Sequence, residues 1–340
     1  MDSNYKLPLE INLRAMSRTQ PSMAYGGGDF TAWQDTAREK LAWLLGMDKF
    51  TAVQPQLTIE HDTATAYFRD IRFRFYSEEG YSVPCHLCVP AGASAPLPLA
   101  IVLQGHSPGM YVSLGELRTE RDESRIEGDR DFARRAVREG VCALALEQRC
   151  FGECGSREDG SPDCYDSAMT ALLVGRTAIG ERVWDIMRAI DVVSSSFSHI
   201  ADTSRLICLG NSGGGTATFY AACLDKRIKI AVPSCAVCTY DESIAAIHHC
   251  ACNYIPHIRE YFNMGDLCGL IAPRALITVS GLKDNIFPIH GARETAEKAR
   301  ELYSACGAPG SFTVFEGAGG HRFYADGAWE SIHKFLKGLE

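Results

Sequence analysis

No stretch of this sequence is long and apolar enough to suggest a membrane span, and its start lacks the basic-then-apolar pattern of an exported chain. Residues 1–20 mix charges with apolar side chains and show no cleavage pattern. The expectation is a cytoplasmic protein that does not engage membranes. A positive excess is missing too: 34 Lys and Arg stand against 42 Asp and Glu, a formal charge of −8. Phosphate backbones need a basic face, so nucleic acid is not the expected partner. The densest Arg stretch, residues 118–138, is interleaved with or flanked by Glu116, Glu120, Asp122, Glu123, Glu127, Asp129 and Asp131. It reads as a solvated surface of mixed charge. Internal repeats and low-complexity linkers are also lacking. Cysteine is not scarce, at 14 residues. Without an export signal these are expected to stay thiols and pack as small hydrophobes.

What is present is a change of pattern along the chain. Asp29 can cap a helix carrying Phe30, Trp33, Ala37, Leu41 and Leu44 at helical spacing, and Gly46 stops it. Tyr67, Arg69, Ile71, Phe73 and Phe75 fall on one parity, and Tyr81–Val89 follows, which predicts antiparallel strands. After Pro98 the runs become short and mostly apolar: 99–103, 141–146, 205–210, 228–232, 275–280 and 312–315. Such runs suit strands buried on both faces of a parallel sheet. Helical segments at 129–139, 181–195, 214–223, 291–306 and 327–336 alternate with them. The expectation is an α/β fold with a doubly wound, mostly parallel sheet. An extension over 1–79, a helix plus antiparallel strands, would pack on a catalytic domain over 80–340.

One motif stands out. Gly210-Asn211-Ser212-Gly213-Gly214 follows an apolar strand and precedes a helix of small residues. A strand–tight turn–helix setting can lift the Ser212 hydroxyl above the sheet edge; a phosphate-cradling turn is the blander reading. A serine hydroxyl needs a base, and Phe315-Glu-Gly-Ala-Gly-Gly-His321 follows the last predicted strand. Asp284 ends the strand before that and could orient the imidazole. Asp266 and Asp326 are weaker rivals because neither follows a strand. An oxyanion hole needs two backbone N–H groups; Gly213 and His106 are the candidates, His106 lying in the loop Gln104-Gly105-His106-Ser107. Residues 112–127 and 233–269 are expected to shape the pocket, with Tyr111, His248 and His249 touching substrate. His248, His249, Cys250, Cys252 and His257 match no familiar zinc spacing. The favoured expectation is a structural or pocket-lining segment with no metal and no cofactor, metal binding standing as the lesser alternative. Arg149 is expected to pin neighbouring loops through an ion pair.

These residues resemble a known group. Gly210–Gly214, Asp284 and His321, with Arg149, look like the α/β-hydrolase superfamily. The segment from Gly269 to Pro288 is similar to the strand-plus-acid signature of its dienelactone hydrolase and acetyl xylan esterase-like branch. The resemblance spans about residues 80–340. Gln104-Gly105 replaces the usual His-Gly of the oxyanion loop, and Cys150 stands where relatives often have Gly. Dienelactone hydrolases proper use Cys as nucleophile, so Ser212 speaks against that activity. The resemblance implies a serine hydrolase cleaving a short, acetyl-type ester on a carbohydrate or small molecule. Alternatives are an oligopeptidase-like amide hydrolase and a catalytically silent binding protein on the same fold. Self-association is left open.

Overall fold

The computed structural model describes residues 7–94 and 96–339. Nine strands form one sheet: β1 (Thr58–Ala64), β2 (Phe68–Glu78), β3 (Tyr81–Pro90), β4 (Leu97–Leu103), β5 (Cys142–Leu146), β6 (Ala201–Asn211), β7 (Ile230–Ser234), β8 (Ala275–Gly281) and β9 (Phe312–Gly317). Their spatial order is β1-β2-β3-β5-β4-β6-β7-β8-β9. β1, β2 and β3 pair antiparallel, and β3 meets β5 antiparallel. From β5 through β4 to β9 every pairing is parallel. The mostly apolar runs are therefore the parallel strands, and the alternating segment is the antiparallel edge. On β2, Ile71, Phe73 and Phe75 turn to the core, while Tyr67 just ahead of it stays exposed.

Helices cover both faces. One side takes Phe30–Leu44, Ala178–Ser196, Gly213–Leu224 and Ile289–Ala305, whose apolar residues share a cluster with Phe73, Phe75, Leu103 and Cys208. The other takes Phe132–Arg138 and Ala325–Leu336, which meet Val102, Leu209, Val232 and Ile277. Asp29 caps its helix as expected, accepting from Ala32 N at 3.0 Å. Thr177 does the same for Gly180 N, also at 3.0 Å. Among the described residues no helix is long and apolar enough to cross a membrane.

Arg149 ties its own loop to two other segments. Its Nε and Nη2 each donate to Asp185 at 2.8 Å, and Nη1 donates to Glu78 at 2.6 Å. The Asp185 side chain is fully buried and also accepts from Ser77 Oγ at 2.6 Å. Arg149→Met leaves that carboxylate buried without its cation. The expected cost is about 3–5 kcal/mol, read as a lower urea midpoint with an unchanged slope.

Candidate active site

β6 ends at Asn211 and the next helix begins at Gly213, leaving Ser212 alone to turn the chain. It does so at φ 56° and ψ −124°, a region costly for any residue with a Cβ. The turn is held by Ser212 N donating to Ser234 O at 2.8 Å and Thr216 N to Ser212 O at 2.8 Å. The flanking glycines are needed for close approach. A Cβ on Gly210 would lie 2.6 Å from the Gly214 carbonyl, and one on Gly214 would lie 2.1 Å from Leu103 O. The Ser212 hydroxyl makes no capping bond to its helix. It therefore stays available above the C-terminal ends of the parallel strands.

Asp284 and His321 meet at the ends of β8 and β9. Asp284 Oδ1 accepts from Ile286 N at 2.8 Å and from Phe287 N at 3.1 Å, and Oδ2 accepts from His321 Nδ1 at 2.8 Å. The Asp284 side chain is fully buried. Burial pushes its carboxyl up, but the His321 hydrogen bond and charge and the two backbone N–H groups outweigh this and hold it below its ordinary range. An ionised acceptor at Nδ1 keeps the proton there and leaves Nε2 as a base. Phe287 lies parallel to the imidazole, with centroids 6.0 Å apart. The glycine-rich loop before His321 folds back on β8, with Leu282 N donating to Gly317 O and Lys283 N to Gly319 O, both at 2.8 Å.

Cys235 reaches the same spot, its Sγ within 4.8 Å of the Asp284 and His321 ligand atoms. Burial, then the Asp284 carboxylate, pushes this thiol up to about 12, so it is a packed thiol and no rival nucleophile. Cys235 directly follows Ser234, whose carbonyl holds Ser212 N, so the end of β7 links the serine turn to the imidazole. Among the described residues the Ser212 hydroxyl makes no hydrogen bond. The structure thus pairs the acid with the imidazole and does not join the imidazole to the hydroxyl; such contacts commonly tighten only in the substrate complex.

The loop after β4 packs directly on the serine turn. A Cβ on Gly105 would sit 2.7 Å from Asn211 O and 3.0 Å from Ser212 Cβ. Gly105→Ala is expected to push this loop off the turn and lower kcat at least tenfold while KM changes little, measured on a chromogenic ester. Gly213 opens its helix, so its N–H has no intrahelical acceptor. The His106 N–H likewise has no acceptor among the described residues. Gln104 donates to Ser113 Oγ and to Arg130 O, both at 2.7 Å, bracing the loop from below.

His106 and His321 share one cavity of about 460 Å³. Arg121, Arg125, Arg130 and Arg322 also line it, with Glu127 as the carboxylate among its lining. The stretch 118–138 is thus not simply solvated surface. Asp122 is fully buried and collects Tyr111 Oη, Arg118 N and Thr119 N at 2.7–3.0 Å, so the segment folds as a wall of this cavity, whose lining does not include Ser212. Arg125 pairs with Asp122 at 2.6 Å and Arg322 with Asp129 at 2.5 Å. Arg130 has no carboxylate at ion-pair distance among the described residues. Burial and the charges of Arg125 and Arg322 lower its pKa, yet a guanidinium stays charged.

The remaining expected residues scatter. Tyr111 is buried and lines a different cavity of about 310 Å³ with His86, Glu147 and Glu153, whose walls include neither His106 nor His321. His249 packs edge-on against Phe287, centroids 5.6 Å apart, and so lies one ring away from His321. His248 is exposed. Asp266 closes a capping box with Asn263, and Asp326 is exposed and pairs with Arg135 at 2.8 Å. Cys250 and Cys252 are not isolated wall residues, because they gather with Cys164 around His106. Arg130 and Phe287 were not anticipated. The available signal was position: each lies in a segment that follows a strand's C-terminal end.

Comparison with known proteins agrees with this architecture. A model of the Abhydrolase family matches residues 10–305. A Bacillus subtilis (strain 168) protein provisionally named as the hydrolase YtaP is 24% identical over 241 residues, which is 70% of this chain and 77% of that one. A Bacteroides fragilis structure, provisionally named an acetyl xylan esterase, superposes with a TM-score of 0.78 at 18% identity, covering 92% of this chain and 83% of that one. A glucuronoyl esterase from Solibacter usitatus gives 0.67 at 15%, covering 95% and 99%. With the strained Ser212 turn at the centre of a mostly parallel sheet, the chain belongs to the Abhydrolase family and has the α/β-hydrolase fold.

Proposed function

We propose that this protein is a serine-dependent carboxylic ester hydrolase working through an acyl-enzyme. Ser212 Oγ attacks the ester carbonyl as His321 Nε2 takes its proton. The N–H groups of Gly213 and His106 stabilise the oxyanion. His321 then protonates the departing alcohol, and water, activated by the same imidazole, releases the acid. Asp284 holds the imidazole and offsets its charge. All these groups fall within residues 80–340, the segment proposed as the catalytic unit. The observation that carries this reading is the Asp284–His321 pair at 2.8 Å, set across the strand ends from a serine held at positive φ with its hydroxyl unused.

The acyl group is proposed to be short, as acetyl is, and the alcohol a carbohydrate or small molecule. The Bacteroides fragilis neighbour's name points the same way. The cavity adds a preference of its own. Two of the four guanidinium groups, Arg121 and Arg130, have no carboxylate at ion-pair distance among the described residues, which favours a substrate bearing negative charge. A charge-assisted hydrogen bond contributes about 1.5–3 kcal/mol. Arg130→Gln is therefore expected to raise KM for a carboxylate-bearing acetyl ester by roughly 10- to 100-fold, with little change for neutral p-nitrophenyl acetate. Equal effects on both esters would remove the charge preference.

An oligopeptidase-like activity is separated by offering acetylated sugars beside aminoacyl anilides. Turnover of the acetyl esters alone supports the esterase reading. Faster cleavage of the anilides favours the peptidase, and turnover of neither favours a silent binder.

A further inference from the structure

Four soft donors converge behind the oxyanion loop. The thiols of Cys164, Cys250 and Cys252 and a ring nitrogen of His106 all lie within 4.8 Å of one another. His106 Nε2 is 3.3 Å from Cys252 Sγ, which is 3.3 Å from Cys250 Sγ. The donors come from three separated stretches: the loop after β4, the residue ahead of helix Tyr165–Leu173, and the 250–252 loop. Cys164 and Cys252 are 4% and 1% exposed.

A second observation concerns charge. Arg182, in helix Ala178–Ser196, is 1% exposed. Its Nη1 donates to Cys252 Sγ at 3.5 Å and its Nη2 to Cys164 Sγ at 3.4 Å. No carboxylate lies at ion-pair distance from it among the described residues. A buried guanidinium needs an opposing charge, and neutral thiols supply none. Three thiolates and one dication sum to a single negative charge, which Arg182 would balance.

We propose that Cys164, Cys250, Cys252 and the Nε2 of His106 bind a zinc ion. Thiolate and imidazole donors suit zinc and not the hard cations that prefer oxygen. Four protein ligands complete a tetrahedron and leave no position for water or substrate, so the ion's role is structural. It ties the oxyanion loop to two distant loops. It also sets the state of the imidazole: metal on Nε2 places the proton on Nδ1. That edge faces the serine turn, since a Cβ on Gly213 would lie 3.0 Å from both Nδ1 and Cε1 of His106. This last consequence rests on the esterase reading; the metal site does not.

The test is elemental analysis of the full chain, purified without chelator. One zinc per chain is expected. Exchange with cobalt(II) should give a thiolate-to-cobalt charge-transfer band in the near ultraviolet and the visible d–d bands of tetrahedral cobalt. Cys164→Ala and Cys252→Ala should lose the metal. Cys306→Ala, at a thiol that bonds Tyr303 O, should keep it. Ser212→Ala should keep its metal while losing esterase activity, which separates failure of one idea from failure of the other. Wild-type protein that takes up no stoichiometric zinc and shows no cobalt–thiolate band overturns the proposal, even if the cysteine variants do not fold. Unchanged metal content in well-folded Cys164→Ala and Cys252→Ala does so as well.

Discussion

Ser212→Ala is expected to lower kcat on p-nitrophenyl acetate by roughly 10⁴- to 10⁶-fold while the protein stays folded. The size follows from the role: without Oγ no acyl-enzyme forms, and the oxyanion donors and binding alone accelerate direct attack by water. The fold should survive because the turn is made by backbone bonds, Ser212 N to Ser234 O and Thr216 N to Ser212 O. Alanine inherits the same φ of 56°, so it carries the same strain as serine. Glycine does not. Ser212→Gly is expected to be equally inactive but more stable than wild type by about 1 kcal/mol, measured by urea unfolding, because glycine adopts this backbone region without Cβ clashes. A variant both inactive and more stable would show that the strain is maintained for the position of the hydroxyl.

Asp284→Asn should cost about 10⁴-fold in kcat with KM little changed. The shape is kept, but an amide can donate to Nδ1, which drives the His321 proton to Nε2, the atom that must act as base. The substitution also has a pH signature. The native Asp284 carboxyl titrates below its ordinary value of 3.8. Its contribution to stability is therefore complete above that ordinary value and is lost as pH falls through the native one. The stability gap between wild type and Asp284→Asn should accordingly narrow on acidification below about pH 4. A gap that widened toward acid would mean that burial, and not the His321 bond, dominates at Asp284.

Much of the fold was legible because burial on both faces writes itself as continuous apolar sequence. Leu99–Leu103 and Cys142–Leu146 could be read this way, and both lie inside the parallel sheet. β6 was read as starting at Arg205, yet it begins at Ala201. Ala201 is buried, but the next four residues, Asp202 to Arg205, are polar and at most partly buried, so no continuous apolar run marks the start of the strand. The glycine flanks of Ser212 were legible for a steric reason: nothing larger fits at Gly210 or Gly214. His321 and Asp284 were found by their positions after strands, a property of order along the chain.

What was not legible depends on three-dimensional neighbours. Charges counted along residues 116–138 cancel, but Asp122 turns inward while Arg121, Arg125 and Arg130 turn to the cavity. No linear count reveals that division. Tyr111 precedes that segment and looked like a pocket residue, but its hydroxyl is committed to Asp122 at 2.9 Å. The cysteines failed as a spacing pattern because His106 and Cys164 come from far along the chain from Cys250 and Cys252, and only folding brings them within 4.8 Å.

The central claim is that Ser212 is the nucleophile. It is tested most directly by reacting the intact protein with a fluorophosphonate and mapping the adduct by peptide mass spectrometry. A single stoichiometric adduct on Ser212, abolished in Ser212→Ala and strongly slowed in His321→Ala, is the expected result. Stoichiometric labelling of any other residue, or labelling of Ser212 at an undiminished rate without His321, would contradict the account.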